Sequence, residues 1–101
     1  MNDKILSLLG LAARGRNLVS GEFATEKAVK EGKAALVVVS SDASDNTKKK
    51  FTNMCTFYKT PICFYASKET LGRAIGNQMR SAAAVTDSKM AANIRKHLEE
   101  S

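Results

Sequence analysis

The sequence predicts an α/β protein folded as a three-layer α/β/α sandwich. Three observations predict it. Segments with apolar residues at helical spacing alternate with short apolar runs, at intervals typical of βα units. The run Ala34 to Val39 is apolar at every position, the mark of a central strand covered on both faces. Capping residues and glycines stand at most of the boundaries. The 101 residues suffice for one domain spanning 1–101, with no repeat or linker to divide it.

The elements follow in order. From about Asp3 to Ala13, Ile5, Leu6, Leu8, Leu9 and Ala12 recur at helical spacings, with Asn2 or Asp3 as cap and Gly15 as the end. Asn17 to Val19 is a short extended piece. Ser20 offers its hydroxyl as the cap of a second helix that runs to about Glu31, where Gly32 stops it. After the strand Ala34–Val39, Ser44 or Asp45 starts a third helix. Thr47, Phe51, Met54, Cys55 and Tyr58 are expected to share its buried face. Pro61 marks the next turn. Ile62 to Tyr65 is a strand, and Ser67 caps a short helix, Lys68 to Ile75. Asn77 to Ser81 is a polar loop, Ala82 to Thr86 the last strand, and Asp87 or Ser88 caps a helix reaching about Leu98.

Composition narrows the function. A net charge of +6 and a pI near 9.6 suit an anionic partner, nucleic acid being the commonest. Cys55 and Cys63 fit neither a redox pair nor a zinc set and read as small core hydrophobes. The single histidine, His97, stands among charged residues near the C-terminus. No dinucleotide fingerprint, phosphate loop or nucleophile–histidine arrangement is visible, so the chain reads as no enzyme, with no cofactor and no metal. Asp42 and Asp45 are explained by capping. The glycines read as punctuation of helices. Arg14 and Arg16 stand where a signal peptide would be cleaved, and no segment reaches the length of a membrane span, so a cytoplasmic protein is expected.

The second helix poses the sharpest question. At about 100° per residue, Ala24, Thr25, Ala28, Val29 and Gly32 gather on one side, and Phe23, Glu26, Lys27, Lys30 and, at the margin, Glu31 on the other. One explanation folds Phe23 back on the preceding loop, against Leu18. The other is functional: a helix N-terminus offers free N–H groups to phosphate, an aromatic ring stacks on an unpaired base, and lysines meet the backbone. Arg14, Arg16, Arg73 and Arg80 are candidates to join this face. Lys48, Lys49 and Lys50 fan too widely around their helix to share one ligand and read as solvated surface.

The stretches LGLAARGRNLVSG (9–21), KAVKEGKAALVVVSSDAS (27–44), NTKKKF (46–51), KETLGRAIG (68–76) and AAAVTD (82–87) resemble, in order and spacing, the L7Ae/L30e ribosomal protein family, particularly its short stand-alone bacterial members. The resemblance runs from about Ile5 to Ile94. It implies a sandwich around a four-stranded mixed sheet and a family many of whose members bind kink-turns, bent RNA helices with tandem sheared G·A pairs. The implied contacts are the start of the second helix, Gly21 to Lys27, and the loop Asn77 to Ser81. Kink-turn binders typically show Gly-x-Asn-Glu-x-x-Lys. Gly21 and Lys27 fit, but Phe23 and Ala24 replace the Asn and Glu that hydrogen-bond guanine edges, and Glu22 faces elsewhere on the helix.

The sequence therefore predicts a non-catalytic protein that binds structured RNA, either ribosomal RNA or a kink-turn-like motif, beside ribosomal proteins and away from membranes. Its expected RNA-binding residues are Arg16, Gly21, Glu22, Phe23, Lys27, Lys30, Arg73, Asn77, Gln78, Met79 and Arg80. Lys27, Lys30, Arg16 and Arg80 would meet phosphate, and Phe23 would stack or wedge at a base. A protein-interaction module on the same fold, anchored by exposed Phe23 and Met79, is the alternative.

Overall fold

The computed structural model describes residues 3–100. Five helices, α1 (Lys4–Arg14), α2 (Glu22–Lys30), α3 (Asp45–Tyr58), α4 (Lys68–Ala74) and α5 (Ser88–Glu100), alternate with four strands, β1 (Leu18–Ser20), β2 (Leu36–Val39), β3 (Ile62–Phe64) and β4 (Ala82–Val85). The strands form one mixed sheet in the order β1-β4-β2-β3, with β2 and β3 parallel and the other pairs antiparallel. The expected three-layer sandwich around a four-stranded mixed sheet is the observed fold.

The absence of alternation in the central strands has its physical reason here. Leu36, Val38, Ala83 and Val85 pack under α1, α4 and α5 on one face. Val37, Val39, Ala82 and Ala84 pack under α2 and α3 on the other, with Phe51 and Cys55. Both faces are dry, so every position is apolar. Cys63 is partly buried against the first cluster. Burial raises both thiols, Cys55 and Cys63, to about 11, which keeps them protonated.

Some boundaries move. Asp3 caps α1, its carboxylate accepting from the Leu6 amide at 3.0 Å, while Asn2 lies outside the described residues. Tyr58 was expected in the core but is 41% exposed, because α3 ends there and Lys59 turns the chain away in a left-handed conformation. Gly10 and Gly72 do not punctuate helices; they sit inside α1 and α4 where backbones nearly touch. A Cβ on Gly10 would stand 2.8 Å from the Ala74 carbonyl, and one on Gly72 only 1.7 Å from the Gln78 carbonyl. Lys50 is not plain solvated surface but pairs with Glu26 at 3.1 Å and Glu22 at 3.7 Å, tying α3 to α2. Among the described residues, no helix is long and apolar enough to cross a membrane, and no group of three or more metal-ligating side chains gathers.

Candidate nucleic-acid interface

The site begins with one glycine. Gly21 is the N-cap residue of α2, with φ of +96° and ψ of 153°, a region open essentially to glycine alone. Ser20, expected to cap α2, does not. It is the last residue of β1, and its hydroxyl accepts instead from Arg80 Nε at 3.2 Å and Asn77 Nδ2 at 3.5 Å. No side chain caps α2. Helix geometry leaves its first amides without intrahelical partners, and the helix dipole adds partial positive charge there. A Cβ built on Gly21 would meet nothing within 4 Å, so the approach to those amides is open.

Phe23 stands two residues on, 82% exposed, and does not fold back into the protein. It lines a shallow depression with Glu26, Lys27, Lys30 and Glu31, the shared face that the helical spacing predicts. Lys27 has no ion-pair partner among the described residues. Lys30 is held by Glu26 at 3.3 Å, an exposed i,i+4 pair of little energetic weight that a phosphate can displace. Hydrogen bonds from Lys50 and then Lys30 hold the Glu26 carboxyl below its ordinary range.

Two side chains join the loop Asn77–Ser81 to this helix end. Arg80 spreads its guanidinium over the loop, donating to Ser20, to the Met79 carbonyl at 3.0 Å and to Asn77 Oδ1 at 3.4 Å. Glu22 accepts from Ser81 Oγ at 3.1 Å and Thr47 Oγ1 at 3.4 Å through one carboxylate oxygen. Its other oxygen faces Lys50. Glu22 therefore bridges loop, α2 and α3, its partly exposed carboxylate turned to Ser81, Thr47 and Lys50. Gly72 lets the loop lie directly on α4. These contacts present Met79, 58% exposed, from the loop beside the helix end.

Asn77 and Arg80 on Ser20, and Ser81 on Glu22, thus tie the loop to the start of α2, while Phe23 and Lys27 share a depression on the helix and Gln78 and Met79 line one beside the loop. Lys30 stands one turn further along α2. Arg73 lies behind the loop in a depression shared with Asn77, Gln78 and Met79, paired with Glu69 at 2.8 Å. Arg16 is set apart. It precedes the opposite end of β1, where Asn17 accepts from the Thr86 amide. Sequence reasoning missed Ser20, Ser81 and Thr47 as the ties of this site. It also missed Gly72, whose interior helix position costs about 1 kcal/mol relative to alanine and so signals a close approach.

Known proteins share this fold. A sequence model of the family described as the ribosomal protein L7Ae/L30e/S12e/Gadd45 family matches residues 3–95. The chain is 48% identical over 80 residues to the RNA-binding protein YlxQ of Bacillus subtilis (strain 168), covering 79% of this chain and 80% of that protein. The structure of a protein of unknown function from Bacillus halodurans C superimposes with a TM-score of 0.93 at 41% identity, covering 97% of this chain and 99% of that one. The 15.5 kD RNA-binding protein of Giardia lamblia superimposes with a TM-score of 0.81 at 25% identity, covering 99% and 92%. Where these names state a role, it is that of a ribosomal or RNA-binding protein and not of an enzyme.

Proposed function

The chain belongs to the ribosomal protein L7Ae/L30e/S12e/Gadd45 family, and we propose that it binds structured RNA through the N-terminus of α2 and the loop Asn77–Ser81. The carrying observation is the uncapped helix end, left open by Gly21 and flanked by exposed Phe23 and Met79. The amides after Gly21 donate to phosphate or to base acceptors. Phe23 stacks on an unpaired base, and Lys27 neutralises the backbone beside it. Arg80 shapes the loop more than it meets phosphate, because each of its three nitrogens already donates within the protein. The names of the relatives support the RNA, and the family supports a ribosomal RNA context in the cytoplasm.

Within that reading the RNA is a kink-turn or a motif of similar bend, recognised by shape. Phe23 and Ala24 cannot hydrogen-bond guanine edges, so discrimination rests on stacking and on backbone amides. Fluorescence anisotropy at two salt concentrations tests this with three RNAs: a kink-turn, the same stem with its G·A pairs replaced by Watson–Crick pairs, and a plain duplex. Tight, salt-sensitive binding to the first alone is expected. Equal binding to all three removes the kink-turn. Salt-independent binding, or none, removes the RNA, since phosphate contacts release counterions.

A further inference from the structure

A second basic feature adjoins the loop on its other side. Helices α1 and α4 lie side by side and form a groove floored by Gly10, Leu11 and Ala74. Gly10 brings the two backbones together, and the Arg14 guanidinium folds back over it, with Nη1 3.5 Å from where a Cβ would stand. Arg73 lines this groove and also the depression beneath Asn77, Gln78 and Met79. One arginine therefore belongs to both surfaces. The groove has a direction as well. Arg14 and Arg73 crowd the end next to the loop, whereas Asp3 stands at the far end, about 10 Å at 1.5 Å per residue along α1 from Gly10, over which the Arg14 guanidinium lies.

We infer that this groove receives the sugar–phosphate backbone of an RNA stem leaving the site at α2 and the loop, with Arg14 and Arg73 clamping its phosphates; this rests on the RNA-binding reading above. Arg14 has no ion-pair partner among the described residues. Arg73 gives Nη2 to Glu69 and keeps its other donors, and that exposed pair yields readily. Two guanidiniums bracketing a shallow floor suit a phosphate run, because each presents a planar fork of donors. Asp3 repels the strand at the far end and so limits the contact to the first phosphates beyond the loop. Charge complementarity and continuity with the loop favour RNA over an acidic peptide, which would need no adjoining RNA site.

Anisotropy with two forms of the kink-turn RNA, with stems of four or of twelve base pairs, tests the inference. The wild-type protein should bind the long form about tenfold tighter, with a log–log salt slope steeper by about 2, as two added phosphate contacts require. Arg14→Gln should remove most of that advantage while leaving affinity for the short form unchanged, and Arg73→Gln, at a residue that lines both surfaces, should remove it and weaken the short form as well. Glu69→Gln should enlarge it. Unaltered melting temperatures confirm that these exposed substitutions leave the fold intact. Equal affinity for both lengths, or an advantage that survives Arg14→Gln, overturns the groove and leaves the primary site standing. Binding of neither RNA overturns both readings. Binding of a glutamate-rich peptide that competes with the long stem but not the short one overturns the assignment of the groove to RNA.

Discussion

Two kinds of helix start coexist in this fold. Asp3 accepts from the Leu6 amide, Ser44 from Thr47, Ser67 from Thr70 and Asp87 from Met90, so α1, α3, α4 and α5 each begin with a side-chain cap. Asp42 adds a second bond to the start of α4 through the Lys68 amide at 2.8 Å. Only α2, among the five described helices, begins on glycine and goes uncapped. A cap contributes about 1 kcal/mol, and α2 forgoes it at the place where Phe23, Lys27 and the loop converge. Leaving donors unsatisfied is tolerable at a surface where water serves them, and it keeps them available to a ligand.

The largest effect expected comes from the loop that faces the open end. Gly72→Ala puts a methyl group 1.7 Å from the Gln78 carbonyl, so the loop backbone must move. A loss of about 3 kcal/mol, the upper range for overpacking, should appear in denaturant melts. RNA affinity should fall with it even where the protein remains folded. Full affinity in a destabilised Gly72→Ala would detach the loop from the site.

Next comes a matched pair. Gly21→Ala forces a side chain into a backbone region reserved for glycine, at a cost of about 2 kcal/mol. Because the strain is relieved only by turning the first amides of α2, RNA binding should fall more steeply than stability. Ser44→Ala at the capped start of α3 should cost about 1 kcal/mol and leave RNA affinity unchanged. If the two variants affected RNA alike, the contrast between open and capped ends would carry no function.

Glu22→Gln sharpens the comparison by sign. It removes a negative charge beside the open end, which by long-range electrostatics alone should strengthen RNA binding. It also weakens the tie from Glu22 to Ser81, Thr47 and Lys50. The carboxylate is partly exposed, so stability should change by only a few tenths of a kcal/mol. We expect affinity to drop, about twofold to fivefold on the scale of one weakened hydrogen bond. A gain in affinity would mean that Glu22 is an acidic neighbour and not a brace.

The capped ends were legible in the sequence because a cap is a local pattern. Asp3, Ser44, Ser67 and Asp87 each satisfy it within three residues of their partner amide. Ser20 met the same pattern and is no cap, since residues nearly sixty positions away claim its hydroxyl. Phe23, Lys27 and Lys30 were legible as a face because helical spacing is also local. The bridging by Glu22 was not, because Thr47, Lys50 and Ser81 come from other elements. Arg16 failed for the same reason in reverse: close to Gly21 in sequence, it lies beyond the other end of β1. Gly72 left a trace, an interior helix glycine, but only the folded loop shows what it accommodates.

The smallest effect separates the two kinds of start by pH. Burial disfavours the charged form of Asp3, but hydrogen bonds from the Tyr65 hydroxyl and the Leu6 amide outweigh it and hold the carboxyl below its ordinary value. Asp42 is lowered in the same way: desolvation opposes the charge, and the hydrogen bond from the Lys68 amide prevails. A carboxyl lowered by folding contributes fully above its unfolded pKa and loses that contribution as pH falls through the folded value. The same Asp3–Tyr65 bond, 2.6 Å long, raises the phenol to about 12. That contribution is complete below the unfolded phenol value of about 10 and is lost on the way up to the folded one. Melting temperatures should therefore sag below about pH 4 and again above about pH 10. Asparagine keeps one oxygen for the cap and can turn its Nδ2 to donate to the phenol oxygen while carrying no titrating charge, so Asp3→Asn should flatten the acid limb at a modest cost near neutrality. The start of α2 has no carboxyl cap to protonate. An acid limb unchanged in Asp3→Asn would show that the capped ends do not set the response to acid.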